Sequence, residues 1–174
     1  MSNLTIERSL CPCGCGSVLY DAYLFGDIGN PEDYIPLVHV LKAATKKDVV
    51  AIHISTDGGS LDTADMLRHH LLATDASSIA YTYGLVASAG TIIALSCNAI
   101  SFSEGTKFLI HRPKTETASD QYSSVNKKLE RANSDFMVSV YEKVLSPYEL
   151  FDILDGKDLL LSSQELNKRL KDLT

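Results

Sequence analysis

The sequence predicts an α/β fold organised around a largely parallel β-sheet. Apolar, β-branched runs alternate with stretches of helical periodicity, the pattern of strands joined by crossover helices. Two expected strand-to-helix junctions, Thr56–Ser60 and Gly84–Gly90, are rich in glycine and small residues. In parallel sheets, binding and catalytic groups collect where strands end at their carboxyl side. A length of 174 residues suits one core, and no repeat or linker divides the chain. Residues 1–18 are expected to form an N-terminal arm, irregular over its first sixteen residues, and residues 19–174 the folded domain.

Each element has its own signal. Leu19–Phe25 is a short apolar run that predicts a strand. Asn30-Pro31-Glu32-Asp33 predicts a helix start, with Asn30 as cap, Pro31 in the first turn and acids at the positive end. Leu37, Val38, Leu41 and Ala44 follow at helical spacing. Asp48–Ser55 is rich in β-branched residues and predicts a buried strand. Leu61, Ala64, Leu67, Leu71 and Leu72 mark a second amphipathic helix. Ser78–Tyr83 predicts a strand, Ala87–Ser96 a helix of small residues, and Ala99–Phe102 and Lys107–Ile110 two short strands. A long helix is expected over Ser123–Val144, with Val125, Leu129, Ala132, Phe136, Val140 and Val144 on one face. Ser162-Ser163-Gln164-Glu165 is a capping-box pattern that opens a last helix.

Composition excludes some functions. Hydrophobic residues make up 45% and charged residues 22%, the balance of an ordinary globular domain. A net charge of -6, with no basic stripe, argues against nucleic acid as a partner. No apolar run approaches the roughly 20 residues of a membrane span. The start Met1-Ser2-Asn3-Leu4-Thr5 lacks the pattern of a secretion signal, so the cytoplasm is the expected location, with no membrane partner. Three of four cysteines crowd into Cys11-Pro12-Cys13-Gly14-Cys15, a spacing unlike the paired C-x-x-C of structural zinc sites. A glycine- and proline-containing loop, with no bound metal or other cofactor, is the expectation there. Cys97, in an apolar helical stretch, is expected to be a small core residue.

Two junctions and one strand end carry candidate chemistry. Ser88, among small neighbours at a strand-to-helix turn, has the setting of a nucleophile, exposed and beside backbone N–H groups of a helix start. Helix capping is the plainer role for such a serine. Asp57-Gly58-Gly59 ends the preceding strand, where paired glycines let the backbone approach a ligand. Of the five histidines, His39, His69 and His70 fall on expected helices and His53 within a strand. His111 closes a strand ahead of Arg112-Pro113, a rigid place for a general base. Asp152, Asp155 and Asp158 are the acids in reach of the argument as partners for that histidine.

Three motifs in order, Ile54-Ser55-Thr56-Asp57-Gly58-Gly59, Gly84-Leu85-Val86-Ala87-Ser88-Ala89-Gly90 and Ile110-His111-Arg112-Pro113, resemble the proteolytic subunit of the ATP-dependent Clp protease, the ClpP family. The likeness runs from about Leu19 to the C-terminus. It implies the ClpP/crotonase-like fold: a mostly parallel sheet, flanking helices and a long helix after the catalytic histidine. It implies Ser88 as nucleophile, His111 as base, and the N–H groups of Gly59 and Ala89 as the oxyanion hole. Leu160-Leu161-Ser162-Ser163-Gln164-Glu165 resembles the stretch that follows the family's acid. Ungapped counting puts Leu154 at the acid's place; a one-residue deletion puts Asp155 there, with Asp152 second.

The chain also departs from the family. Asp57 stands where proline is usual and Ala89 where methionine is usual. Lys114–Asp120, the strand expected to meet substrate and a second ring, has no glycine, and the cysteine-rich arm replaces the usual pore-lining segment. Its trimmed length suits a bacteriophage-encoded or otherwise divergent member. The implied function is a serine endopeptidase subunit of a self-compartmentalising homo-oligomer, a heptamer or tetradecamer, acting on peptides or unfolded proteins. No nucleotide-binding loop G-x-x-x-x-G-K-[ST] is present, so any ATP hydrolysis belongs to a partner AAA+ unfoldase. The alternatives are a non-catalytic assembly subunit, a capsid-maturation protease, and a crotonase-like enzyme acting on an acyl-CoA.

Overall fold

The computed structural model describes residues 4–12, 14–113 and 123–172. Its strands are β1 (Leu4–Leu10), β2 (Val18–Phe25), β3 (Val49–Thr56), β4 (Ser77–Ala87), β5 (Ala99–Phe102), β6 (Lys107–Ile110) and β7 (Leu159–Ser162). The helices are α1 (Ile35–Ala43), entered through a 3-10 turn at Pro31–Tyr34, α2 (Leu61–Ala73), α3 (Ala89–Leu95), α4 (Ser123–Tyr141), α5 (Pro147–Leu154) and α6 (Ser163–Lys171). The strands form one seven-stranded sheet in the order β1-β2-β3-β4-β6-β7, with β5 also on β4. The β2–β3, β3–β4, β4–β5 and β4–β6 pairs are parallel, and the outer pairs β1–β2 and β6–β7 are antiparallel.

β3 lies at the heart of the sheet, between β2 and β4, with one face turned to the helices. Val50, Ile52 and Ile54 are fully buried and join Leu37 and Leu41 of α1, Leu67 and Leu71 of α2 and Ile93 of α3 in one core. Truncating any of these leucines to alanine is expected to cost about 2–5 kcal/mol. Asp48 secures the entry to β3: its carboxylate accepts from Val18 N and from both the N and Oγ1 of Thr45, each at 2.8 Å. Those bonds hold its carboxyl below the usual range. On the sheet's other side His53 stacks on Tyr23 and Tyr81, bonds Asp21 through Nε2 at 2.9 Å and meets the Tyr83 hydroxyl through Nδ1 at 3.0 Å.

Several elements differ from expectation. Residues 4–10, expected irregular, form β1 along the polar outer edge of β2. The cysteine-rich segment is the turn of this hairpin, closed by Cys11 N to Ser17 O (2.9 Å) and Gly14 N to Cys11 O (3.2 Å). Cys13 lies outside the described residues; among them no group of three or more His, Cys, Asp or Glu gathers as a metal site. β4 continues four residues past its predicted end. Gly84, at φ +54°, marks an irregularity where Ile54 pairs with Thr82 but Thr56 with Val86. The two extra residues form a bulge-like break, so β5 pairs with the first half of β4 and β6 with the second.

α5 and β7 were not anticipated at all. α5 opens with a capping box between Ser146 and Glu149, and α6 with the predicted one between Ser162 and Glu165. Along α4 the expected apolar face divides: Val140 is buried with Met137 and Tyr141, whereas Val125 and Leu129 are exposed at 57% and 48%. Among the described residues, no helix is long and apolar enough to cross a membrane.

Candidate active site

Ser88 sits where β4 becomes α3, with φ +51° and ψ −118°. Among the described residues it is the one non-glycine with positive φ. An L-residue held there stores on the order of 1–3 kcal/mol, which the surrounding structure must over-determine. Here the holding groups are visible. Ser88 N donates to Leu109 O of β6 at 2.8 Å, and Ser88 O accepts from Thr91 N at 2.9 Å and Thr91 Oγ1 at 2.7 Å. The side chain is only half-buried, so the turn presents a hydroxyl to solvent from a rigid base.

Gly58 and Gly59 form the opposite bank. Gly58 N donates to Thr56 Oγ1 at 2.9 Å, which fixes the turn leaving β3. Gly59 bridges to Ile28: Ile28 N donates to Gly58 O and Ser60 N to Ile28 O, both at 2.8 Å. A Cβ on Gly59 would collide with the Ile28 carbonyl, so only glycine fits. This bridge leaves the Gly59 N–H facing away from Ile28, and no hydrogen bond takes it up among the described residues. Ala89, buried as the first residue of α3, likewise has an N–H that pairs with nothing there, as expected at a helix start.

A cleft of about 410 Å³ opens between these turns. Asp57, Gly59, Ser60, Ser88 and His111 form its polar mouth. Leu61, Ile92, Met137 and Tyr141 form an apolar floor. The structure thus brings Ser88, His111 and Gly59 to one cavity; Ala89 lies directly behind Ser88, under the surface.

His111 follows β6, held half-buried by that strand's pairing with β4 and β7. Its Nδ1 meets Arg112 O at 2.9 Å. A carbonyl can only accept, so Nδ1 carries the proton and Nε2 is left as the basic nitrogen. No carboxylate pairs with His111 among the described residues. Asp155 caps α5 and is exposed; Asp152 pairs with Lys157 at 2.7 Å. Asp158 is exposed in the turn before β7. Arg112 nevertheless ties this region to the site, through Nη1 to Leu154 O at 3.4 Å and Nη2 to Glu130 at 3.6 Å. His53 is committed to the sheet's aromatic side. The segment Lys114–Asp120 lies outside the described residues.

Sequence reasoning missed Thr91, Met137 and Tyr141. Met137 and Tyr141 are four apart on α4, the spacing of one helix face, but that face was read through Phe136 and Val140 instead.

The Clp protease family model matches residues 30–166. Among solved structures, a mutant of ClpP1 from Listeria monocytogenes is 21% identical with a TM-score of 0.68, covering 86% of each chain. ClpP1 from Listeria monocytogenes itself is 18% identical with a TM-score of 0.65 over the same shares. A peptidase from Plasmodium falciparum is 11% identical with a TM-score of 0.69, covering 86% of this chain and 91% of that one. Comparison with curated proteins gives no match. The structural likenesses establish the ClpP fold, and the family match, spanning well over half of the sequence, means that this chain belongs to the Clp protease family.

Proposed function

We propose that this chain is a serine endopeptidase subunit in which Ser88 is the nucleophile and His111 the general base. The observation that carries the reading is the left-handed turn at Ser88, opening on a cleft that His111 shares. In the forward reaction Ser88 Oγ bonds to the peptide carbonyl carbon as its proton passes to His111 Nε2. The carbonyl oxygen becomes an oxyanion, stabilised by the Gly59 and Ala89 N–H groups. Collapse breaks the C–N bond, and His111 returns its proton to the leaving amine. Water then attacks the acyl-enzyme as His111 takes its proton, and collapse breaks the bond to Ser88 Oγ, which regains that proton from His111 as the carboxylic acid leaves. Asp155 is the acid assigned to orient His111, with Asp152 second. Engaging either requires the imidazole to leave the Arg112 carbonyl.

The assembly proposed with this activity is a homo-oligomeric ring of seven subunits, alone or paired face to face, enclosing the clefts. Its substrates would be peptides or unfolded chains delivered by an AAA+ unfoldase. Family membership supports this, as do Val125, Leu129, Tyr148 and Phe151, large apolar side chains exposed on α4 and α5 of the single chain. One observation favours a second reading, a non-catalytic assembly subunit: His111 Nδ1 rests on a backbone carbonyl instead of a carboxylate.

The test is intact mass after incubation with a fluorophosphonate, on wild type and Ser88→Ala in parallel. One adduct on wild type and none on the variant is expected. An assembled ring whose wild type takes no adduct would favour the non-catalytic subunit.

A further inference from the structure

Tyr141 is 1% exposed at the end of α4, with its hydroxyl directed to Thr91, itself 1% exposed. Thr91 Oγ1 donates its single proton to the Ser88 carbonyl at 2.7 Å. The tyrosine must therefore be the donor to Thr91 Oγ1, across 2.5 Å. Burial pushes the phenol well above its ordinary pKa, which keeps that proton in place at any working pH. The rotation ψ of Ser88 decides where its carbonyl points, so groups that hold the carbonyl hold the turn. At the other side of the residue, the Ser88 N–H is fixed on Leu109 O at 2.8 Å.

We infer that Thr91 and Tyr141 are positioning residues for the nucleophile: the chain Tyr141 O–H to Thr91 Oγ1–H to O=C of Ser88 holds the strained turn and thereby aims Ser88 Oγ. The inference rests on Ser88 being the nucleophile. Thr91 acts directly on the carbonyl. Tyr141 acts only through Thr91, by fixing its rotamer and polarising its hydroxyl. It also makes the reactivity of Ser88 depend on how α4 is seated, since Tyr141 is the last residue of that helix.

The test is fluorophosphonate labelling kinetics on the full chain, resolved into reversible affinity and maximal acylation rate. Thr91→Val should slow maximal acylation about tenfold, the loss of one well-made hydrogen bond, with affinity within about twofold of wild type. Thr91→Ser, which keeps the hydroxyl, should restore the rate. Tyr141→Phe should slow it about three- to fivefold, and adding it to Thr91→Val should cost nothing more, because a residue acting through Thr91 has no effect once that hydroxyl is gone. Thermal midpoints measured alongside identify any variant that merely unfolds, and the serine rescue then decides. Equal rates for Thr91→Val and wild type, additive losses in the double variant, or no rescue by serine would each overturn the relay alone. A wild type that takes no label would overturn the nucleophile assignment and the relay with it.

Discussion

Gly58 lies directly against Ser88, so that a Cβ built on the glycine would stand 2.7 Å from the serine's own Cβ and 3.4 Å from its Oγ. The turn that ends β3 and the turn that ends β4 are thus packed with no room for one extra carbon. The glycine also occupies φ +109°, a region side chains avoid. Gly58→Ala is expected to push the two turns apart. A displacement approaching 1 Å at a reacting group costs about a hundredfold in rate. Fluorophosphonate labelling should fall by about that factor, while circular dichroism retains the α/β signature; labelling at wild-type rate would mean that the turns do not work as a unit.

Replacing Ser88, the proposed nucleophile, separates strain from chemistry. Ser88→Gly and Ser88→Ala should both lose labelling, but only glycine accepts φ +51° and ψ −118° without strain. Urea unfolding should therefore find Ser88→Gly more stable than Ser88→Ala by about 1 kcal/mol, the low end of the strain such a residue stores. Equal stabilities would place the cost of the turn elsewhere.

The acid is tested by carboxamide replacement. If Asp155 orients His111 in the working subunit, Asp155→Asn should lower acylation by up to about 10⁴-fold, as removing a triad acid does. Asp152→Asn should stay within about twofold, since that carboxylate is paired with Lys157 at an exposed site. We expect the larger loss at 155. Two unchanged variants would leave the Arg112 carbonyl as the group that sets the tautomer of His111.

The two last helices are joined by an acid-sensitive clamp. Arg169 grips Glu149 with Nη1 to Oε2 at 2.9 Å and Nη2 to Oε1 at 2.7 Å, and Ser146 adds further bonds. Chiefly through Arg169, the Glu149 carboxyl is held down to about 2, against an ordinary 4.5. A depressed carboxyl stabilises the fold above the unfolded-state value and loses that contribution as pH falls through the folded one. The window is therefore pH 4.5 down to about 2. With both partners partly exposed, about 1–2 kcal/mol is at stake. Thermal midpoints should drop across this window for wild type, and Glu149→Gln should show a lower midpoint at neutral pH with a flatter acid limb.

What the sequence made legible follows from how local each signal is. β3 and β6 could be placed within a residue because apolar runs bounded by turn residues need no distant partner to be recognised. The Ser162–Glu165 capping box is equally local, and Ser146–Glu149 carries the same pattern at the start of α5. β1 was illegible: its residues are mostly exposed, and only pairing with β2 makes Leu4–Leu10 a strand. Gly84 misled, since it reads as a strand end but serves as a break within β4. At the site, Ser88, His111 and Gly59 could be singled out from their places at element ends, and the structure puts all three on one cavity. The relay from Tyr141 could not, because it joins residues fifty positions apart whose only link is a contact made by folding.

The pairing of β4 with β6 has a consequence for how this family can vary. Ala87 is level with Leu109, one residue before Ser88 and two before His111. The separation of Ser88 from His111 along the sheet is therefore set by strand alignment, and exposed side chains elsewhere can drift without disturbing that register. Insertions and deletions are another matter. Losing one residue within β6 would turn the imidazole to the opposite side of the sheet, since successive side chains alternate. Lineages of this fold should accordingly tolerate substitution at Lys107 and Leu109, keep the buried Phe108 and Ile110 apolar, and accept almost no change in the length of β6.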